Sequence, residues 1–200
     1  MSEIVSRDEA VRLLRTGGVV AVPTDTVYGV AASVAHPMAV ANLFAMKHRP
    51  TSMALPVLID SLAAIELLEV TWPENARRLS EAFWPGALTI VVSAPRDLAR
   101  LVGSTTDTVG FRVPNDELLA GVLRESGPLA VTSANEHGET PCQRADQVLR
   151  TFADLRVVNG VLDGGERAGD VSTVIEVRGS SWRILRAGAI SADEVARVLA

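Results

Sequence analysis

Short apolar runs alternate with amphipathic patterns along almost the whole chain, and this alternation limits the fold more than any other feature. A continuous apolar run bounded by turn residues, such as residues 19–22, is typical of a buried strand. Apolar residues that recur every three or four positions, as in residues 72–83, are typical of a helix with one buried face. Interleaved strands and helices predict an α/β fold, a twisted sheet with flanking helices. The last strands follow one another without a helix between them, so we expect a mixed sheet.

The boundaries of the elements follow from these patterns and from the residues that begin and end helices. Ser6 with Glu9, and Ser191 with Glu194, have the spacing of a capping box, and Asn115 is the expected cap of a short helix. The predicted strands cover residues 19–22, 55–59, 88–92, 109–113, 129–132, 157–162, 173–177 and 182–185. The predicted helices cover residues 7–16, 37–47, 72–83, 115–123 and 144–151, with a last helix after Ser191.

Composition narrows the class of protein. Residues 1–200 contain no internal repeat and no linker, so we expect one domain, with residues 163–170 as a mobile loop. The formal net charge of -5 argues against a protein whose main work is neutralising nucleic-acid phosphate. The single cysteine, Cys142, permits no internal disulfide, and the histidines lack zinc-site spacing, so no metal site is expected.

The sequence predicts a cytoplasmic protein with no membrane association. Its apolar runs are shorter than the roughly 20 residues that cross a bilayer. Residues 1–10 carry acids where a signal peptide would carry a basic flank and an apolar core.

Polar groups gather where predicted strands end, and the ligand crevice of an open α/β sheet commonly lies there. Residues Thr24–Thr26, together with Tyr28, directly follow the strand 19–22. Their hydroxyls and carboxylate are suited to binding a small polar substrate or, alternatively, to capping the backbone of their own turn. Residues Thr132–Asn135 stand at the end of a later strand and offer hydroxyl and amide groups, without the motif of a nucleophilic serine.

Three basic segments present the same choice between a structural and a functional role. Lys47-His48-Arg49, at a helix end, either complements the helix dipole or clamps a polyphosphate, since arginine supplies a planar fork and lysine a point charge. Arg112 lies inside a predicted strand, and Arg186 directly follows another. Because a buried arginine requires an acidic protein partner or an anionic ligand, the residues alone leave both roles open.

Taken together, these segments resemble the YrdC/Sua5 family, the threonylcarbamoyl-AMP synthases of tRNA modification. They occur in family order and span residues 18–190, which resembles the short single-domain form of the family. The matching segments are VPTDTVYGV (22–30), KHRP (47–50), WPGALTIVV (84–92), VGFRVPN (109–115), TSAN with the following Gly138, STVIEV (172–177) and ILRAGAI (184–190).

The resemblance implies a YrdC-like α/β sheet folded around a large, positively lined groove. It also implies a reaction in which L-threonine, bicarbonate and ATP give threonylcarbamoyl-AMP and pyrophosphate, with Mg²⁺ carried by the ATP. The product would pass to a separate tRNA threonylcarbamoyltransferase complex that acts on adenosine 37 of tRNAs reading ANN codons. Side chains of Lys, Arg, Thr, Ser and Asn suit this reaction, because transfer at phosphorus requires positioning and charge stabilisation.

The resemblance also assigns roles to individual residues. Lys47 and Arg49 would hold the ATP phosphates and act in catalysis. The further ATP-binding residues it implies are Thr108, Asn135 and Arg186. The threonine-binding residues it implies are Thr26, Tyr28, Ser133, Ser172 and Arg112, which would pair with the threonine carboxylate.

Two departures from the family pattern keep other functions open. Met53 stands where many relatives have a basic or amide residue, and Pro141 comes one place late after the TSAN segment. One alternative is a YrdC-fold paralogue that binds RNA or nucleotide without this activity, and weak RNA binding is itself an expectation. The other alternative is a paralogue that acts on a different carbamoyl-type adenylate.

Overall fold

The structure, a computed structural model, describes residues 3–47, 54–136, 138–153 and 157–200. The strands are β1 (Ile4–Val5), β2 (Val19–Val22), β3 (Gly29–Ser33), β4 (Val57–Leu58), β5 (Leu88–Ser93), β6 (Thr108–Arg112), β7 (Leu129–Ser133), β8 (Val158–Leu162), β9 (Thr173–Arg178) and β10 (Ser181–Arg186). The helices are α1 (Arg7–Arg15), α2 (Pro37–Met46), α3 (Ala63–Leu67), α4 (Glu74–Phe83), α5 (Arg96–Leu101), α6 (Glu117–Ser126), α7 (Ala145–Thr151) and α8 (Ala192–Leu199).

The described strands form one ten-stranded, twisted open sheet in the order β1-β8-β2-β3-β7-β4-β6-β5-β9-β10. The pairs β1/β8, β2/β8, β4/β6 and β5/β9 are parallel. The other neighbouring pairs are antiparallel. The predicted α/β class and mixed sheet are therefore confirmed.

Helices cover the two faces of the sheet unequally. On one face, α2, α4 and α8 pack over a large apolar cluster that includes Ile90 and Phe111. On the other face, α1 and α6 pack over β2, β3 and β7, and the apolar cluster ends at Leu58 of β4. Beyond Leu58 this second face continues with small and polar residues, because Gly110 and Arg112 alternate with the buried Phe111 along β6. The uneven cover leaves a polar part of the sheet outside the apolar cluster of α1 and α6.

Each predicted strand is present, with ends within two residues of the expected ones, but the central strand β3 was missed. Its sequence, Gly-Val-Ala-Ala-Ser, is poor in the β-branched and aromatic residues that favour strands. A glycine is needed at the first position of β3, because a Cβ on Gly29 would come 2.6 Å from Val131 Cγ1 of the neighbouring strand β7. The short elements β1, α3 and α5 were also missed.

Two of the expected helix caps differ from the prediction. Asp116, and not Asn115, caps α6, because its backbone is extended and its Oδ1 accepts the Leu119 N–H at 2.8 Å. Ser6 caps α1 as expected, but the Glu9 carboxylate accepts from the Arg12 guanidinium instead of closing the box. The capping box that begins α8 is confirmed.

Within the described ranges, no helix combines the length and the apolar character that crossing a membrane requires.

The same substitution should have opposite effects at two glycines. In β8, a Cβ on Gly160 would lie 2.8 Å from Val5 Cγ1, so we expect Gly160→Ala to lower the free energy of unfolding by about 1–3 kcal/mol. In α6, a Cβ on Gly121 first meets the flexible Arg7 side chain at 3.4 Å. Gly121→Ala should therefore stabilise the protein by about 0.5–1 kcal/mol through helix propensity. Urea denaturation measures both changes in the free energy of unfolding. Changes of the same sign in the two variants would contradict the packing described.

Candidate active site

The turn between β2 and β3, residues 24–28, is held by its own side chains. The Thr24 hydroxyl accepts the backbone N–H groups of Thr26 (3.1 Å) and Val27 (3.2 Å) and donates to the Val27 carbonyl (2.7 Å). The Thr26 hydroxyl lies 2.9 Å from that of Thr24, and both side chains are buried. The turn thus caps its own backbone, which is one of the two roles left open by the sequence, and its side chains also line a cavity.

This cavity has a volume of about 300 Å³ and lies where the apolar cover of α1 and α6 ends. It brings together six residues that the sequence analysis assigned to binding: Thr26, Tyr28, Arg112, Ser133, Ser172 and Arg186. Apolar walls complete it, formed mainly by Val27, Pro56, Leu58, Val131, Pro141 and Val171. Two cations and several hydroxyls within an apolar wall suit a small molecule that carries negative charge.

Arg112 has an acidic protein partner, which answers one question that the sequence left open. Its Nη2 lies 2.7 Å from Asp25 Oδ1, with the side chains 7% and 14% exposed. Its Nε donates to the Gly86 carbonyl at 2.8 Å. Burial lowers the pKa of Arg112 and Asp25 opposes this effect, and a guanidinium stays protonated in proteins. Arg112 Nη1 also donates to the Thr26 hydroxyl at 3.5 Å, so three of its five N–H groups are in use and two remain.

Arg186 is held on the other side of the cavity by neutral groups. Its Nη2 donates to the Ser172 carbonyl at 2.7 Å and to the Ser172 hydroxyl at 2.9 Å. Among the described residues it forms no ion pair. Burial and the nearby Arg112 charge lower the pKa of Arg186. Because Asp25 balances only one of the two cations, the cavity favours an anion.

Thr89 of β5 also lines the cavity, and sequence reasoning missed it. Its hydroxyl lies 3.0 Å from the Ser172 hydroxyl, which in turn accepts from Arg186. The available signal was a single hydroxyl residue inside the apolar run of residues 88–92.

Lys47 joins the end of α2 to the end of β7. Its buried Nζ donates to the Ser133 carbonyl at 2.8 Å and to Asn135 Oδ1 at 2.9 Å, and lies within 3.4 Å of the Thr132 hydroxyl. The Ser133 hydroxyl donates to the same Asn135 oxygen at 2.6 Å. The structure thus places Lys47 and Asn135 directly behind the cavity residue Ser133.

The remaining predicted residues differ in what the structure says of them. Thr108 lies on the same sheet face as Arg112, four residues earlier in β6, and its hydroxyl is 2.9 Å from that of Thr106. It is not part of the cavity wall. Arg49 lies outside the described residues. In the described part of the chain, no group of three or more His, Cys, Asp or Glu side chains is placed to hold a metal ion.

Tyr28 connects the turn to the segment between β8 and β9. Its buried phenol donates to the Gly165 carbonyl at 2.9 Å and accepts the Gly164 N–H at 3.0 Å. Burial raises the pKa of Tyr28, so the phenol keeps its proton and its donor role at neutral pH. The expected loop at residues 163–170 is thus fastened to the site, and its mobility stays a prediction.

Removal of Asp25 should leave a buried, uncompensated charge. We expect Asp25→Ala to lower the free energy of unfolding by about 3 kcal/mol, because Arg112 would lose its carboxylate while remaining buried. The control is Asp146→Ala, which breaks the exposed pairs with Arg144 and Arg150 and should cost less than about 1 kcal/mol. If urea denaturation gives the two variants similar losses in the free energy of unfolding, the Arg112 pair is no more important for stability than an exposed ion pair.

Curated relatives align with most of this chain. A putative threonylcarbamoyl-AMP synthase of Mycobacterium tuberculosis is 39% identical over 193 residues, which cover 95% of this chain and 87% of that protein. The threonylcarbamoyl-AMP synthase of Bacillus subtilis is 36% identical over 194 residues, which cover 96% of this chain and 56% of that longer protein.

Solved structures share the fold. Pyrococcus abyssi Sua5, solved in complex with L-threonine, superposes with a TM-score of 0.89 at 31% identity. The match covers 98% of this chain and 60% of that one, so this chain spans well under two thirds of Sua5. Escherichia coli YciO has the same fold, with a TM-score of 0.83 at 21% identity.

The family model Sua5_yciO_yrdC, described as "Telomere recombination", matches residues 12–188. That range includes every cavity residue named above. The sequence match, the shared fold and the family order of the motifs agree. This chain therefore belongs to the Sua5/YciO/YrdC family.

Proposed function

We propose that this chain is a threonylcarbamoyl-AMP synthase, forming threonylcarbamoyl-AMP and pyrophosphate from L-threonine, bicarbonate and ATP. The observation that carries the proposal is the convergence of Arg112 and Arg186, with the hydroxyls of Thr26 and Ser172, in one cavity. Family relatives named for this activity, and a family structure solved with L-threonine, support the choice of substrate.

In this proposal Arg112 binds the threonine carboxylate. Its guanidinium is fixed by Asp25 and Gly86, so the remaining N–H groups are oriented before substrate arrives. The hydroxyls of Thr26, Ser133 and Ser172 supply neutral hydrogen bonds, and Tyr28 lies beside the substrate. Such a prearranged set lowers the entropic cost of binding.

The ATP phosphates lie toward Lys47, Arg49 and Arg186 in this proposal, with Thr108 and Asn135 completing the nucleotide site. Lys47 and Arg49 are the proposed catalytic residues, because their charges balance the negative charge that builds up on the phosphates. Mg²⁺ enters with ATP, bound through the phosphates.

The reaction needs no covalent bond to the protein. The threonine amine and bicarbonate give a carbamate and water, and a carbamate oxygen then attacks the α-phosphorus. The bond between that phosphorus and the bridging oxygen breaks, and pyrophosphate leaves with the electron pair. Cations and hydroxyls that position both reactants are sufficient for such a transfer.

The proposed setting follows from the product. Residues 1–200 would act as one domain in the cytoplasm and pass the reactive adenylate to a tRNA threonylcarbamoyltransferase complex. Weak RNA binding would be secondary, since the net charge is -5.

Omission of single substrates tests the activity. We expect pyrophosphate to appear only when ATP, L-threonine and bicarbonate are all present, because the attacking oxygen comes from a carbamate that needs the last two. A coupled pyrophosphate assay measures this, and mass spectrometry identifies the adenylate. Rapid release without threonine, or none with all three substrates, would refute the proposal, and release with a different amino acid would indicate the paralogue.

Arg49→Ala tests the phosphate clamp. We expect kcat/KM for ATP to fall about 100-fold or more, since an alanine cannot replace a charged fork on a phosphate. The control is Arg100→Ala, which removes an exposed arginine at the end of α5. Unchanged turnover in Arg49→Ala, with a melting temperature equal to wild type, would remove Arg49 from the site.

A further inference from the structure

Residues 163–171, here called the strap, connect β8 to β9 and lie directly on the 24–28 turn. The Gly169 N–H donates to the Thr26 carbonyl at 2.9 Å. Near the start of the strap, the Gly164 N–H donates to the Tyr28 phenol and the Gly165 carbonyl accepts from it. The strap is therefore tied to Thr26 and Tyr28, two of the turn residues that line the cavity.

The contact between strap and turn leaves no room for side chains. A Cβ on Gly169 would come 2.4 Å from the Asp25 carbonyl oxygen, and one on Gly164 would come 2.6 Å from Pro23 Cγ. Backbones this close move together, because an opening of either segment breaks hydrogen bonds of both. The strap therefore contributes to the position of Thr26 and Tyr28, together with the turn's own hydrogen bonds.

Arg167, in the middle of the strap, attaches the strap to the rest of the protein. Its backbone N–H donates to the Gln143 carbonyl at 2.8 Å, and its Nη2 donates to Asp116 Oδ2 at 2.9 Å. The Asp116 side chain is 7% exposed, and its other oxygen caps α6 through the Leu119 N–H. The carboxylate that receives Arg167 is thus itself fixed in place.

One N–H group of Arg167 is buried unfavourably. Its Nε is buried without a hydrogen-bond partner in the described part of the structure, and an unsatisfied buried N–H is unfavourable. An arginine that lay only on the surface would keep all of its N–H groups in water. Arg167 lies outside the cavity wall, so any effect on the substrate passes through the strap.

We propose that Arg167 is a positioning residue of the threonine site, which acts by holding the strap, and through it Thr26 and Tyr28, in the geometry that binds the amino acid. The proposal rests on the proposed function, because it takes Thr26 and Tyr28 as contacts of threonine. Loss of the ion pair between Arg167 and Asp116 should therefore weaken the binding of threonine in the cavity.

Steady-state kinetics of Arg167→Ala, Arg167→Lys and Asp116→Asn test this. We expect KM for threonine to rise about tenfold in Arg167→Ala, with KM for ATP changed less than about twofold. Arg167→Lys keeps a cation in reach of Asp116 and should recover part of the loss. Asp116→Asn keeps the capping oxygen but lowers the charge, so it should resemble Arg167→Ala, and the double variant should be no worse than either single one.

The matched control is Arg150→Ala, which removes an exposed ion pair with Asp146 on α7 and should leave both KM values unchanged. Parallel rises in both KM values of Arg167→Ala, or an unchanged KM for threonine, would overturn the proposal. Hydrogen exchange of the 23–28 backbone gives a second readout that does not need activity. Faster exchange in Arg167→Ala than in Arg150→Ala supports the link to the turn, and equal exchange refutes it. Absence of threonine-dependent activity in wild type would refute the proposed function instead.

Discussion

The buried ion pair between Arg112 and Asp25 is the interaction on which the site depends. It joins the middle of the sheet to the turn that crosses it, and neither group has much access to water. A charge in such a place is tolerated only when it is paired and hydrogen-bonded, and Asp25 and the Gly86 carbonyl provide both. Because this pair locates the turn, it also locates the hydroxyl of Thr26.

The uneven helix cover explains why a cavity exists at this place. A sheet with apolar residues on both faces would need helices over its whole width. Here the face beyond Leu58 carries Gly110, Arg112 and Thr89 instead, which do not need apolar cover. This polar part of the sheet is open to a ligand because α1 and α6 pack over other strands.

Local sequence patterns were sufficient for eight of the ten described strands, and strand ends and hydroxyl-rich turns pointed to Thr26, Ser133 and Arg112. Ser172 came only from the resemblance to the family. Partners distant in the sequence were not accessible in this way. Asp25 and Arg112 are 87 residues apart, and Tyr28 and Gly165 are 137 apart, so only the folded chain shows that they meet. The strand β3 was missed for a related reason, since the close approach of Gly29 to Val131 of β7 is visible only in the folded chain.

The order of the strands has a consequence for synthesis of the protein. The N-terminal strand β1 lies at the edge of the sheet and pairs with β8, so the first strand to leave the ribosome waits for a partner made near the end. The cavity is completed only when Ser172 and Arg186 have emerged. A nascent or prematurely terminated chain consequently lacks the second cation and one wall of the cavity.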